Sequence, residues 1–331
     1  MSDSLPNVLV VSLGGTIAMT DTASGAVAPA LDGADLVAAV PGLDREANIR
    51  TDSFRRIPGA HLGVDDVLDL ARRLGDGLEP DVDGIVVTQG TDTIEETSYL
   101  LDLVWAGERP IVVTGAMRNP TLPGADGPAN LLAAVRVAAS PAARGLGVLV
   151  VMNDEIHAAS LVSKEHAANP GAFQSSPGQL GWVAEGRVRI PLRPVRPAPL
   201  TLASLGEPRE VALLTTSLGD DGELLRLAAG AGFSGIVVEA LGGGHVPPGV
   251  AEEIGRLAPR LPVVLTSRTG HGEVLRRTYD FPGSELDLQR RGVILAGNLD
   301  GPKARVLLAL LLRAGLDRDR IAAAVEERTA P

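Results

Sequence analysis

The sequence predicts an α/β fold with two domains, each built on a mainly parallel sheet, and three features of the 331-residue chain lead to this prediction. Short apolar runs rich in β-branched residues recur, and continuous apolar strands of this kind are typical of sheets buried on both faces. Helical patterns separate many of these runs, as expected for right-handed βαβ units. A proline-rich stretch over residues 189–210 divides the runs into two groups.

The first group begins with the run NVLVVS and ends in a hairpin pattern, LGWVAEGRVRIPLR, that is predicted to turn at Glu185-Gly186. Its predicted strands cover residues 7–12, 84–88, 110–115 and 146–153, and its predicted helices cover residues 64–75, 93–105 and 127–139.

The second group repeats the same building block after a stretch that has five prolines and no helical period. We interpret this stretch as a linker over residues 191–209. The N-terminal domain then covers residues 1–190 and the C-terminal domain residues 210–331. The predicted strands of the second group are 211–216, 235–240, 262–267 and 292–297, and its predicted helices are 221–230 and 302–313.

Composition excludes several classes of function. The net charge is −11 and no run rich in lysine or arginine exists, so a nucleic-acid partner is not expected. The chain has no cysteine, and its five histidines lack metal-ligand spacing, so we expect neither a thiol nucleophile nor a metal. No apolar stretch is long enough for a membrane span, and the N-terminus lacks a signal-peptide pattern. We therefore expect a cytoplasmic protein.

Small polar residues and glycines follow almost every predicted strand. In doubly wound sheets, ligands bind beside the carboxyl ends of the strands, where the loops converge. The pattern therefore predicts a crevice for a small polar ligand. The segments that carry it are SLGGT, TQGTDT, TGAMR, MND, TTS, EALGGGH and TSRTG.

The segment TQGTDTIEET, residues 88–97, offers more polar side chains than a helix start needs. Gly90 permits a tight turn after the strand. We assign helix capping to Thr93, which fits a capping box. Thr91 and Asp92 then remain beside a helix N-terminus, where free N–H groups favour negative charge.

A lysine completes a possible set for acyl transfer. A threonine hydroxyl is a weak nucleophile that needs a base, and lysine can lose its proton whereas arginine cannot at working pH. Of the 30 lysine and arginine residues, only Lys164 and Lys303 are lysines. We interpret Lys164 as a candidate base and Lys303 as structural. The alternative for Lys164 is a solvated loop charge.

The motifs SLGGTIAMT, VVTQGTDTIEETSYLLDL, TGAMR, ADGPANLLAAV, GVLVVMND and NLDGPKARVLLAL resemble the bacterial-type L-asparaginase/glutaminase family. This resemblance covers residues 7 to about 315. It implies a larger N-terminal doubly wound domain and a smaller C-terminal parallel-sheet domain. It also implies hydrolysis of L-asparagine to L-aspartate and ammonia through a threonine acyl-enzyme, without a cofactor, in a homodimer or homotetramer.

The resemblance assigns roles to four residues of this chain. Thr16 resembles the usual nucleophile, and Thr91 the second catalytic threonine, which works with Lys164. Asp92 resembles the aspartate that binds the α-ammonium group of the substrate.

Substrate binding is implied for a second set, in part through a partner subunit. For His245 and Glu285 in this set, the alternative of an ordinary surface role stays open. The set consists of Gly59, Ala60, Gly90, Thr91, Asp92, His245 and Glu285.

Three departures from the family pattern keep other functions open. The loop after Thr16 has no tyrosine, Gly59 and Ala60 stand where a serine is expected, and Gln89 replaces the commoner histidine. The alternatives are an amino-acid-binding protein that has lost catalytic power and an ammonia donor of the glutaminase or amidotransferase type. A nucleotide-binding oxidoreductase is a further alternative, although the first loop lacks the G-x-G-x-x-G spacing.

Overall fold

A computed structural model describes residues 4–15, 17, 19–21, 27–29 and 33–329. The chain divides into two compact units, Met1–Leu200 and Thr201–Pro331. Within the described residues, each unit has its own sheet and its own buried apolar core. The prediction of an α/β fold with two mainly parallel sheets is confirmed.

The first unit combines strands with α-helices, and its described α-helices all end before residue 140. Its helices are α1 (Gly33–Ala38), α2 (Val64–Gly77), α3 (Ile94–Val104) and α4 (Gly127–Ala139). Its strands are β1 (Asn7–Ser12), β2 (Met19–Asp21), β3 (Val27–Pro29), β4 (Asn48–Ser53), β5 (Gly84–Thr88), β6 (Ile111–Thr114), β7 (Val148–Met152), β8 (Glu155–Ala158), β9 (Val162–Lys164), β10 (Phe173–Ser175), β11 (Gly181–Ala184) and β12 (Arg187–Arg189).

The main sheet of this unit has the order β12-β11-β8-β7-β6-β5-β1-β4 within the described ranges. Strands β4, β1, β5, β6 and β7 run parallel, and Ser12, Thr88 and Thr114 stand side by side at the carboxyl ends of β1, β5 and β6. The loops that follow these strands therefore leave the sheet at one edge. This arrangement sets the position of the candidate site.

Three strands of the sheet differ from the parallel pattern. Strands β8, β11 and β12 pair in antiparallel fashion, and β11 and β12 form the predicted hairpin. Glu185 and Gly186 have φ angles of 50° and 73°, as a tight two-residue turn requires. The sequence pattern did not predict β4, because NIRTDS forms a largely exposed edge strand rather than a buried apolar run.

The second unit has a four-stranded parallel sheet in the order β13-β14-β15-β16 among the described residues. Its strands are β13 (Val211–Thr215), β14 (Gly235–Ala240), β15 (Val263–Ser267) and β16 (Ile294–Leu295). Its helices are α5 (Glu223–Gly230), α6 (Pro248–Leu257), α7 (Glu285–Arg290), α8 (Gly301–Arg313) and α9 (Arg318–Thr329).

No helix in the described ranges combines the length and the apolar character that crossing a membrane requires.

Strands β9 and β10 form a separate hairpin that carries Lys164 outside the main sheet. His157 on β8 anchors it, because Nδ1 of His157 lies 2.8 Å from Oγ of Ser175 on β10. The side chain of His157 is 1% exposed. Burial lowers the pKa of His157 from 6.5 to about 4, so this histidine is neutral at pH 7.

Acid is expected to weaken the fold through His157. The unfolded chain binds a proton near pH 6.5, whereas the folded chain resists protonation until about pH 4. This contribution to stability is therefore complete above pH 6.5 and falls by about 3 kcal/mol as the pH decreases to 4. Urea unfolding at pH 7 and pH 5 should give a smaller difference for His157→Asn than for the wild type. An equal difference would show that His157 is not the titrating group.

Candidate active site

The turn after β5 presents the threonine and the aspartate that the sequence singles out. All five residues of β5 are buried, and the chain then forms a 3₁₀ turn over Thr91–Thr93 that leads directly into α3. Thr91 is 6% exposed, whereas the side chain of Asp92 is largely exposed. One short turn therefore holds a shielded hydroxyl next to a carboxylate that solvent can reach.

Lys164 contacts both of these side chains. Its Nζ lies 2.9 Å from Oγ1 of Thr91 and 3.0 Å from Oδ1 of Asp92. The side chain of Lys164 is 14% exposed, so it is not a solvated loop charge. An amine in this position can exchange a proton with the threonine hydroxyl, while the carboxylate orients the amine.

Three glycines bring the loops of the candidate site into backbone contact. A Cβ atom on Gly15 would lie 2.0 Å from the backbone nitrogen of Gly90, and one on Gly59 would lie 2.9 Å from the carbonyl oxygen of Gly90. Gly15 also has a φ of +89°, a left-handed conformation that favours glycine. The loops after β1, β4 and β5 therefore meet at Gly90.

The other predicted residues of the first unit that the structure describes are Gly59, Ala60 and Gly90. Gly59 and Gly90 are neighbours, and Ala60 is exposed on the short 3₁₀ turn Gly59–His61. Thr16, the predicted nucleophile, lies outside the described residues. Its neighbour Gly15 is described and lies against Gly90.

The assignment of helix capping to Thr93 was wrong. The Thr93 side chain forms no capping hydrogen bond, and its hydroxyl donates instead to the carbonyl oxygen of Gly59 at 3.1 Å. The reason is that the 3₁₀ turn places Thr93 against the loop that follows β4. Thr93 thus fastens two loops of the candidate site together.

Two side chains near this turn form hydrogen bonds that were not predicted. The buried amide of Gln89 donates to the carbonyl oxygen of Gly90 at 3.2 Å and to Oγ1 of Thr97 at 3.3 Å. Gln89 therefore links the turn to helix α3. Glu95 accepts a 2.8 Å hydrogen bond from the backbone N–H of Lys164. No local pattern could indicate a partner that lies 69 residues away.

His245 and Glu285 contact each other in the second unit. Nε2 of His245 lies 3.2 Å from Oε2 of Glu285, whose side chain is 0% exposed. Burial alone would raise the pKa of Glu285, but hydrogen bonds from backbone N–H groups, including those of Tyr279 and Thr278, and from His245 outweigh it and lower this pKa. The cluster is therefore a buried carboxylate held in its charged form.

Lys303, the second lysine, lies in the first turn of α8. Its side chain is 1% exposed and forms an ion pair with Asp300, whose carboxylate also accepts the backbone N–H of Lys303 at 2.9 Å. Asp300 is the N-cap residue of this helix. These contacts agree with a structural role.

Two family models match the chain. One, described as Asparaginase, N-terminal, matches residues 7–196, and the other, described as Glutaminase/Asparaginase C-terminal domain, matches residues 210–325. The chain belongs to the asparaginase family. The resemblance inferred from the motifs is thereby confirmed.

Individual asparaginases are similar to this chain over most of its length. The L-asparaginase of Bacillus licheniformis is 37% identical over 310 residues, which cover 92% of this chain and 95% of that protein. The glutaminase-asparaginase of Pseudomonas fluorescens biotype A is 34% identical over 324 residues, which cover 93% and 86%. A crystal structure of a probable cytoplasmic L-asparaginase from Campylobacter jejuni matches with a TM-score of 0.89 and 31% identity, covering 97% of this chain and 99% of that one.

Proposed function

We propose that this protein hydrolyses the side-chain amide of L-asparagine to L-aspartate and ammonia. The observation that carries the proposal is the position of Lys164, whose amine lies within hydrogen-bond distance of both Thr91 and Asp92. This arrangement supplies a hydroxyl, a proton acceptor and an orienting carboxylate. Acyl transfer needs these groups when neither a thiol nor a metal takes part.

The proposed reaction proceeds through an acyl-enzyme. A threonine Oγ attacks the amide carbon, its proton is taken up by the enzyme, and the C–N bond breaks as ammonia leaves with that proton. Water then attacks the ester, which releases L-aspartate and restores the hydroxyl. Thr16 is the proposed nucleophile by resemblance to the family, and the Thr91–Lys164 pair is proposed to carry the proton.

Substrate binding is proposed to use charge and backbone groups. The exposed carboxylate of Asp92 can pair with the α-ammonium group of the amino acid, and Gly59, Ala60 and Gly90 can offer backbone groups where loops meet. The contact between Gly59 and Gly90 supports this assignment.

A homo-oligomer in the cytoplasm is part of the same proposal. By resemblance, His245 and Glu285 act on the pocket of a partner subunit, and the preformed hydrogen bond between them supports a polar role. The Campylobacter jejuni relative, which is described as cytoplasmic, supports the location. Light scattering should give the mass of a dimer or tetramer, whereas a fully active monomer would exclude this part of the proposal.

Ammonia release from a set of four amides tests the proposed substrate. L-Asparagine, L-glutamine and their D-forms should be compared at equal concentrations with purified wild-type protein. We expect L-asparagine to be hydrolysed. L-Glutamine is the second candidate, because a glutaminase-asparaginase is among the similar proteins. Absence of ammonia from all four would favour a binding protein without catalysis and would overturn the proposal.

A further inference from the structure

We propose that Glu95 is a positioning residue that holds the amine of Lys164 against Thr91. The inference rests on the proposed function, because it concerns the residue that is proposed to exchange a proton there. Glu95 acts through Lys164 and has no assigned contact with the substrate.

Both ends of Lys164 are bonded to one short segment of the chain. The backbone N–H donates to Oε2 of Glu95 at 2.8 Å, and Nζ lies within 3.0 Å of Thr91 and Asp92. The segment from Thr91 to Glu95 covers the 3₁₀ turn and the start of α3. Because this segment fixes both the backbone and the amine, it sets the extension of the lysine side chain.

The hairpin that carries Lys164 is attached to β8 by the contact of His157 with Ser175 on β10, and Glu95 attaches its other strand to α3. Strands β9 and β10 form a sheet of their own among the described residues. The hydrogen bonds of the main sheet therefore do not fix the position of Lys164 relative to α3. Phe173 is the residue of β10 that pairs with Lys164. In the neighbouring pair of the hairpin, the backbone N–H of Glu165 donates to the carbonyl oxygen of Ala172 at 2.7 Å. In an antiparallel ladder this makes Lys164 and Phe173 a non-hydrogen-bonded pair, so the N–H of Lys164 points away from β10. Glu95 accepts that outward N–H.

The expected consequence is a loss of rate rather than of binding. A displacement of about 1 Å at a reacting group can lower a rate by about a hundredfold. Without Glu95, the hairpin can move relative to α3, and the distance from Nζ to Thr91 is no longer fixed at its backbone end. Asp92, the proposed ligand of the substrate ammonium group, keeps its position on the 3₁₀ turn.

The kinetic test compares four variants. Glu95→Ala removes the acceptor, and Glu95→Asp keeps the charge but shortens the reach, so both should lower kcat for L-asparagine by about 10- to 100-fold, with KM changed less than about threefold. Glu95→Gln keeps an acceptor oxygen and should stay within about fivefold of the wild type. Glu96→Ala removes a neighbouring carboxylate of the same helical turn, leaves the bond to Lys164 intact, and should stay near the wild-type rate.

A double variant separates positioning from a general structural role. In the Lys164→Ala background, Glu95→Ala should lower kcat by less than about twofold further, because the side-chain amine that Glu95 positions is absent. Full additivity of the two losses would overturn the proposal. Equal losses of kcat in Glu95→Ala and Glu96→Ala would also overturn it.

Chemical labelling tests the same contact without catalysis. Acetic anhydride acetylates lysine amines, and the chain has only two lysines. Peptide mass spectrometry therefore compares the acetylation rate of Lys164 with that of Lys303, which is buried in its ion pair with Asp300. We expect the labelling rate of Lys164 relative to Lys303 to rise about fivefold in Glu95→Ala, as for the loss of one hydrogen bond, and to remain unchanged in Glu96→Ala. An unchanged rate in Glu95→Ala would overturn the proposal. This readout stands even if the wild type releases no ammonia, which would overturn the proposed function alone.

Discussion

Lys164→Arg is expected to lower kcat for L-asparagine almost as far as Lys164→Ala, by about three orders of magnitude. Arginine keeps the positive charge and can still pair with Asp92, but it cannot give up a proton at working pH. The amine of Lys164 lies 2.9 Å from the Thr91 hydroxyl, so charge and proton exchange are both possible in the wild type. Only the arginine variant separates them.

The measurement is kcat for both variants, with circular dichroism to establish that each is folded. If Lys164 served only to neutralise Asp92, arginine would substitute with a modest loss. A kcat for the arginine variant within about tenfold of the wild type, or about 1.4 kcal/mol in the activation barrier, would show that Lys164 contributes only its positive charge.

Thr91→Val is expected to abolish most asparagine hydrolysis, and Thr16→Ala is expected to do the same. Valine has nearly the shape of threonine, so the loss at position 91 reports the hydroxyl that contacts Lys164 rather than a cavity. Loss of a catalytic hydroxyl commonly costs several orders of magnitude in kcat. The rate should be compared with that of Thr91→Ser, which retains a hydroxyl.

Thr93→Val is the matched control for the threonine at position 91. It removes a hydroxyl two residues away that donates to the Gly59 carbonyl and does not contact Lys164. We expect a loss of about 1 kcal/mol in stability and a much smaller loss of rate. If Thr91→Val and Thr93→Val reduced kcat equally, the specific role of the Thr91 hydroxyl would be wrong.

Burial and periodicity predicted the central part of the fold. The apolar runs that became β5, β6 and β7 are buried on both faces and that of β1 is mostly buried, and this environment selects continuous β-branched sequences. The edge strand β4 and the peripheral hairpin of β9 and β10 lack this pattern because they are partly exposed. Their pairing is decided by tertiary contacts that no local window contains.

The residues of the candidate site also differ in whether a local sequence pattern could predict them. Thr91 and Asp92 could be located from the sequence, because strand ends and helix starts have local signatures. Lys164 was singled out by the scarcity of lysine and by the resemblance to the family, because its contact with Asp92 spans 72 residues and leaves no local pattern. The hydrogen bonds of Thr93 and Glu95 depend on which loops meet, so the local capping pattern gave Thr93 the wrong partner and did not predict the partner of Glu95.

Capture of the acyl group by hydroxylamine tests the central claim, that the protein is an amidohydrolase acting through a threonine ester. The purified protein should be incubated with L-asparagine and increasing hydroxylamine, and β-aspartyl hydroxamate, L-aspartate and ammonia should be measured together. We predict that hydroxamate replaces aspartate as hydroxylamine rises while ammonia release continues, and that Thr91→Val forms neither product at a comparable rate. Ammonia release with no hydroxamate at any hydroxylamine concentration would contradict the acyl-enzyme, and absence of ammonia would contradict the activity itself.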